Sequence, residues 1–294
     1  MRRSGSGKVG RKMLIETNLL GTINKVNTAI KRIRTYNPID LGFDKPYYVC
    51  YSGGKDSDCI RILMVLAGVP YDLVHNHTTM DAPETVYYVR SIPDIQITYP
   101  DLSIHQLIVK KHIPPTRIQR YCCSYFKEQG GADRFVVTGV RWSESTSRSK
   151  RASLEIQSRK MADRINLNSD NSESRLLLEQ CTKKGKRVLN PIIDWTDEDV
   201  WEFLRYYGCK SNPLYQCGYK RIGCVGCPMS THRKQGFERY PKFKANYIRT
   251  FDRMIATYDG TQSWKSGEEV FEWWVNDRIK IPKELENQLS LLED

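Results

Sequence analysis

Two sets of residues in this chain have types and spacing suited to chemistry. The first is Ser52-Gly53-Gly54-Lys55-Asp56-Ser57, which follows the apolar and aromatic run Tyr47-Tyr48-Val49-Cys50-Tyr51. The run predicts a buried strand. The two glycines predict a tight turn that lets the backbone approach a ligand closely. Ile60, Leu63, Met64 and Ala67 then recur at helical spacing, so the turn opens onto a helix N-terminus. A helix start with free N–H groups, the hydroxyls of Ser52 and Ser57 and the Lys55 ammonium together make an anion cradle. The spacing is shorter than that of a Walker A loop.

The second set is Cys122-Cys123 with Cys224 and Cys227, the latter two in Gly223-Cys224-Val225-Gly226-Cys227-Pro228. Four thiolates hold either zinc or an iron–sulfur cluster. Adjacent cysteines chelate a single ion awkwardly, whereas in a cubane each thiolate binds its own iron. The pattern therefore favours a [4Fe–4S] cluster, with zinc as the less favoured occupant. The chain has 9 cysteines in 294 residues, which points to metal or redox chemistry rather than a disulfide framework. Cys50 and Cys59 fall in the first strand and helix and read as ordinary buried thiols.

The elements that must position these residues follow in order. Residues 1–44 form a basic arm with an amphipathic helix over 19–33. After the loop and its helix, residues 71–77 predict a second strand, with His75 and His77 on one face. No third ligand accompanies that pair, so the histidines read as polar residues at a strand end. Asp81 and Glu84 have capping-box spacing and predict a helix to about residue 91. A strand over 95–99, a helix over 103–111, a break at Pro114-Pro115 and a strand over 134–138 come next. A basic polar segment then carries Arg141, Arg148, Lys150, Arg151, Arg159 and Lys160, and 161–187 predicts a mobile excursion. Residues 188–193 predict a fifth strand. Thr196 and Asp199 cap a helix that Gly208 ends. From Met229 the chain reads as helical and rich in aromatic residues.

Alternating strands and helices predict an α/β fold with a parallel, doubly wound, five-stranded-type sheet and a helical C-terminal extension. The expected parts are 1–44, 45–230 and 231–294. The loop, Thr78-Thr79 and Gly139-Val140-Arg141 are expected to meet at the strands' carboxyl ends. An apolar fraction of 39% and a charged fraction of 27% suit a soluble protein. No run predicts a membrane helix, and the basic start lacks the apolar stretch of a signal peptide, so a cytoplasmic location is expected. The formal charge of +12 fits a polyanionic partner, or simply a basic enzyme.

The loop resembles the PP-loop of the ATP-pyrophosphatases. Arg120-Tyr121-Cys122-Cys123-Ser124-Tyr125-Phe126-Lys127, Thr138-Gly139-Val140-Arg141, Asp194-Trp195-Thr196, Val200-Trp201, Asn212-Pro213-Leu214-Tyr215 and the segment from Gly218 to Cys227 recur in the order of the phosphoadenosine-phosphosulfate reductase family of adenine nucleotide α-hydrolase-like folds. The resemblance spans residues 45–230. It implies that Cys122, Cys123, Cys224 and Cys227 ligate a [4Fe–4S] centre. Sulfonucleotide reductases have an altered phosphate loop and a nucleophilic cysteine in a Glu-Cys-Gly-x-His tail. Here the loop is intact and no cysteine follows Cys227.

In that respect the chain is similar to the iron–sulfur ATP-pyrophosphatases of DNA phosphorothioation. This likeness implies adenylation of an acceptor, release of pyrophosphate and sulfur transfer. Expected partners are ATP, Mg²⁺, a nucleic acid and a sulfur-donor protein such as a cysteine desulfurase. Lys55, Asp56 and Arg141 are the expected catalytic residues. Ser52, Gly53, Gly54, Lys55, Ser57, Thr78, Gly139 and Arg148 are expected around the nucleotide. The alternatives are an oxidoreductase acting on adenylylsulfate or phosphoadenylylsulfate, and a non-catalytic nucleic-acid-binding subunit with a structural cluster.

Overall fold

The computed structural model describes residues 14–18, 21–128, 130–146, 148–157, 165–167, 186–260 and 263–276. Its first elements are an antiparallel hairpin of β1 (Ile15–Asn18) and β2 (Gly21–Asn24), followed by helix α1 (Lys25–Thr35). The helix expected over 19–33 therefore starts later. The Asn24 side chain accepts the Asn27 N–H at 2.9 Å and fixes the start, while the residues before it pair as a strand.

The central elements alternate as the sequence predicts. They are β3 (Tyr47–Cys50), α2 (Lys55–Ala67), β4 (Tyr71–Asn76), α3 (Pro83–Arg90), β5 (Ile95–Thr98), α4 (Ile104–Lys111) and β6 (Phe135–Val137). Strands β7 (Leu154–Gln157), β8 (Ile165–Leu167) and β9 (Lys186–Leu189) complete a sheet of order β5-β4-β3-β6-β9-β7-β8. Pairings β3–β4, β3–β6 and β6–β9 are parallel. The sheet is thus mostly parallel and flanked by helices.

Two strands exceed the five expected, and both run antiparallel at the β9 side. Their signal was present in Leu154-Glu155-Ile156, an apolar–polar–apolar alternation lost among basic neighbours. Leu154 and Ile156 are buried, and Arg151 neutralises the buried Glu155. The excursion expected over 161–187 lies mostly outside the described residues.

The strand expected over 188–193 is instead Lys186–Leu189. Pro191 has no N–H to give a ladder, and Asn190 turns aside to donate to the Ala152 carbonyl at 2.8 Å. The capping box expected at Asp81 and Glu84 does not form. Asp81 instead accepts the N–H and hydroxyl of Thr78, at 2.8 and 2.9 Å, and α3 begins at Pro83.

Period-two alternation explains the core. Tyr47, Val49, Phe135, Val137 and Leu189 face one side of the sheet, packed with Ile33, Ile60, Leu63 and Trp195, while Tyr48, Val136 and Val188 face the other. On the first side α1 packs on α2, and α2 on the helix Asp197–Tyr206. Thr196 caps that helix by accepting the Asp199 N–H, as its spacing predicts.

The chain divides into two compact units that interleave in sequence. The first comprises residues 1–75, 87–97 and 131–215; the second comprises 76–86, 98–130 and 216–294. In the second unit, α4 packs on the helix Pro241–Ala256, which packs on Gly267–Val275. Its core is aromatic, with Phe237, Tyr247, Phe251, Phe271 and Trp274 in edge and tilted contacts. Among the described residues no helix is long and apolar enough to cross a membrane.

Candidate functional site

In the first unit the phosphate loop joins β3 to α2. Gly53 turns the chain at φ +72°, and Gly54 caps the helix from an extended conformation. Ser57 closes the turn locally. Its hydroxyl donates to the Gly54 carbonyl at 2.7 Å and accepts the Gly54 N–H at 3.1 Å. Asn212 donates to the Gly53 carbonyl at 3.1 Å, and the Tyr215 hydroxyl accepts the Lys55 N–H at 2.8 Å. The loop is thus held from both sides before the helix begins.

Behind it lies a network of alternating charge. Lys55 is buried, with its ammonium 3.2 Å from Asp197 and 3.9 Å from Asp56. Arg141 is 2% exposed and donates to Asp56 at 2.7 Å, Asp197 at 2.8 Å and Ser143 at 2.8 Å. Two cations facing two carboxylates avoid the cost of an uncompensated buried charge, which is several kcal/mol. Burial pushes the Asp56 carboxyl above its usual range, with Lys55 and Arg141 pulling it back. Burial raises Asp197 too, but Lys55 and Arg141 outweigh it and hold that carboxyl low.

Gly139 makes this approach possible. A Cβ there would lie 2.9 Å from the Asp56 Cβ and 3.0 Å from its carbonyl carbon. Two residues further along α2, Asp58 is fully buried and accepts the phenols of Tyr51 at 2.6 Å and Tyr88 at 3.0 Å. Burial pushes its carboxyl up to about 6 against those two hydrogen bonds.

The second unit carries the cysteines. Cys122 and Cys123 lie in a short helical turn, Tyr121–Cys123, that widens into a π-helical turn over Ser124–Glu128. Cys224 and Cys227 flank a turn whose Val225 N–H donates to the Met80 carbonyl at 2.8 Å. Gly226 sits there at φ +80° against the Phe237 ring. Arg233 stacks on Trp274 and donates to the Gly226 carbonyl at 3.2 Å, fastening the turn to the aromatic core.

All four thiols line one cavity of about 40 Å³, together with Thr78, Met80, Ile104, Phe126, Lys127 and Tyr247. That exceeds the roughly 10–15 Å³ a single water needs. The Cys224 thiol lies 3.3 Å from the Thr78 hydroxyl, and Arg120 donates to the Cys123 sulfur at 3.4 Å. The hydrogen bond between Cys122 and Cys123 pushes the first thiol up and holds the second down, Arg120 adding to the second effect. Among the described residues, no group of three or more His, Cys, Asp or Glu side chains is gathered so as to hold a metal ion.

Residues 46–230 match the phosphoadenosine phosphosulfate reductase domain. The chain belongs to that family. It is 28% identical over 201 residues to an uncharacterized protein of Methanocaldococcus jannaschii, a match covering 63% of this chain and 36% of that protein. It is 43% identical over 49 residues to the adenosine 5'-phosphosulfate reductase of Burkholderia cepacia, covering 17% of this chain and 20% of the relative. A 36% identity over 74 residues links it to an uncharacterized 37.8 kDa protein of Escherichia phage 186, covering 24% of this chain and 22% of that protein. In each case the match spans well under two thirds of the relative's length. Among solved structures, phosphoadenylyl-sulfate reductase from Candida auris aligns with a TM-score of 0.43 at 18% identity, covering 67% of this chain and 95% of that one.

Within this family member, the structure gathers Ser52, Gly53, Gly54, Lys55, Asp56, Ser57, Gly139 and Arg141 in the first unit around one helix start. Thr78 lines the cysteine cavity in the second unit, bonded to Asp81 and Cys224. Arg148 pairs with Glu144, and Arg151 with Glu155, so these guanidinium groups of the basic segment already face carboxylates. Arg159 and Lys160 lie outside the described residues. The histidines expected to share a strand face have separate roles. His75 bonds the Tyr51 carbonyl, and His77 accepts the Thr79 N–H.

Sequence reading missed Asp197, Tyr215, Asn212 and Asp58. Asn212-Pro213-Leu214-Tyr215 stood out only as a family motif, and Asp197 only as the residue after a helix cap. Nothing in their spacing marks them as neighbours of Lys55. Lys127, also missed, lines the cysteine cavity, where the charge of Cys224 favours its ammonium form.

Proposed function

We propose that this chain is an ATP-pyrophosphatase that adenylates an acceptor, most simply a nucleic-acid backbone or base, for sulfur transfer. An acceptor oxygen attacks the α-phosphorus, the bond to the bridging α,β-oxygen breaks, and pyrophosphate leaves with the electron pair. AMP then serves as leaving group when a sulfur nucleophile, brought by a donor protein such as a cysteine desulfurase, forms its own bond to the acceptor. One observation carries the reading: a buried lysine in the first turn of a helix that opens from a Gly-Gly turn at the end of a parallel strand. Such a start favours phosphate through its N–H groups and dipole.

Lys55 would neutralise charge developing on the leaving β,γ unit. Asp56 would offer Mg²⁺ the carboxylate oxygen that Arg141 does not occupy, the ion supplying further neutralisation. Arg141 spends its donors on Asp56, Asp197 and Ser143, so its role is to position the two carboxylates. Lys55→Ala should lower pyrophosphate release from ATP by about 100-fold or more. Full release in that variant would refute the assignment.

Cys122, Cys123, Cys224 and Cys227 would hold a [4Fe–4S] cluster, which supplies a redox-capable or purely structural centre. The donor set fits. Four thiols line one cavity, two of them adjacent in sequence, and adjacent thiolates suit the separate irons of a cubane better than a single zinc ion. Arg120 offers a hydrogen bond to the Cys123 sulfur. Anaerobically purified protein should be brown with iron and sulfide bound, and colourless zinc-loaded protein would reverse the choice.

A second reading, reduction of adenylylsulfate, is favoured by the 43% identity to an adenosine 5'-phosphosulfate reductase over 49 residues. Sulfite formed from adenylylsulfate and a thiol donor would select it over ATP cleavage.

A further inference from the structure

Tyr215 stands where the phosphate loop meets the first turn of α2. Its oxygen accepts the Lys55 N–H at 2.8 Å, and a Cβ on Gly54 would lie 3.3 Å from that same oxygen. The phenol therefore sits at the mouth of the anion cradle. The Lys55 ammonium lies 5.8 Å from the ring centroid, on the Asp197 side. Two contacts fix the ring. Trp201 packs edge-on at 5.0 Å, and Asn212, three residues earlier, ties the same turn to the Gly53 carbonyl. Burial raises the phenol's pKa, so it stays protonated at neutral pH.

A tyrosine hydroxyl both accepts and donates. Here the acceptor side is used, and among the described residues the O–H proton has no acceptor. Accepting a hydrogen bond also strengthens a hydroxyl as a donor. A ligand oxygen can take that proton, and a helix start favours an anionic one.

We infer that Tyr215 is a polyphosphate-binding residue, holding the Lys55 N–H with its oxygen and donating its O–H to a phosphate oxygen of the β,γ unit. The inference rests on the ATP-pyrophosphatase reading and adds to it a side chain that measures the leaving group. It separates ligands that carry a pyrophosphate from those that end at the α-phosphate.

The test uses the full chain, Tyr215→Phe, and calorimetric titration with inorganic pyrophosphate and with AMP, both with Mg²⁺. Phenylalanine keeps the contact with Trp201, and thermal denaturation checks that the variant folds. Tyr215→His, which retains a donor on a ring, is the second variant. Loss of one hydrogen bond to a charged group predicts pyrophosphate binding weakened by about tenfold or more in Tyr215→Phe. AMP binding should be unchanged and Tyr215→His intermediate. Equal weakening for both ligands, or none, overturns the inference while leaving the parent reading in place. Wild-type protein that binds no pyrophosphate overturns both.

Discussion

Lys55 and Asp58 lie one turn apart on the same helix and report different things. Lys55 is charged and answered by two carboxylates, so its removal should act on chemistry, through the pyrophosphate release described above. Asp58 is a fully buried carboxyl held by two phenols, and its substitution should act on stability. Its carboxyl titrates at about 6 in the folded protein, against 3.8 for the free group. Between those values the folded state keeps a proton that the unfolded chain has lost. Stability from this group is therefore full below the lower value and declines as pH rises through the upper one. The decline amounts to at most about 3 kcal/mol. Asp58→Asn has no such proton to lose, so its urea midpoint should fall less than the wild type's from roughly pH 4 to pH 6.5. Parallel pH profiles would count against this account.

At the scale of elements, the site depends on how closely backbone segments approach. Gly139, just beyond β6, meets the backbone of Asp56 in the first turn of α2, where no flexible side-chain end is available to give way. Gly139→Ala should destabilise by about 1–3 kcal/mol and should also reduce pyrophosphate release in the molecules that remain folded, because it displaces Asp56. The cap of α1 offers the contrast. Asn24→Ala removes one cap hydrogen bond far from the loop in sequence and should cost about 1 kcal/mol, with release per folded molecule unchanged. Denaturation midpoints paired with turnover separate the two. If Gly139→Ala lowered only stability, the close approach would be a packing matter.

Across the whole molecule the formal charge is +12, yet part of its basic display is committed internally. Arg141, Arg148 and Arg151 each face a carboxylate. If a nucleic acid is the acceptor, its affinity should still fall linearly on a log–log plot against salt through counterion release. Binding of duplex or single-stranded DNA measured between low and moderate salt checks this. A flat response would mean that the charge plays no part in acceptor binding.

The sequence alone determined what is local: the strand–loop–helix around Lys55, the capping of Asp197–Tyr206 by Thr196, the alternation that builds the parallel strands, and the identity of the four cysteines. These follow from periodicity, caps and turn chemistry, which act over a few residues. Only the tertiary structure decided that Asp197 bridges Lys55 and Arg141, that Tyr215 reaches the Lys55 amide 160 positions away, and that Thr78 sits on the cysteine cavity. The reason is physical. A buried charge or donor must be met by whichever group the packing of distant elements brings within hydrogen-bond reach, and no local pattern records that distance.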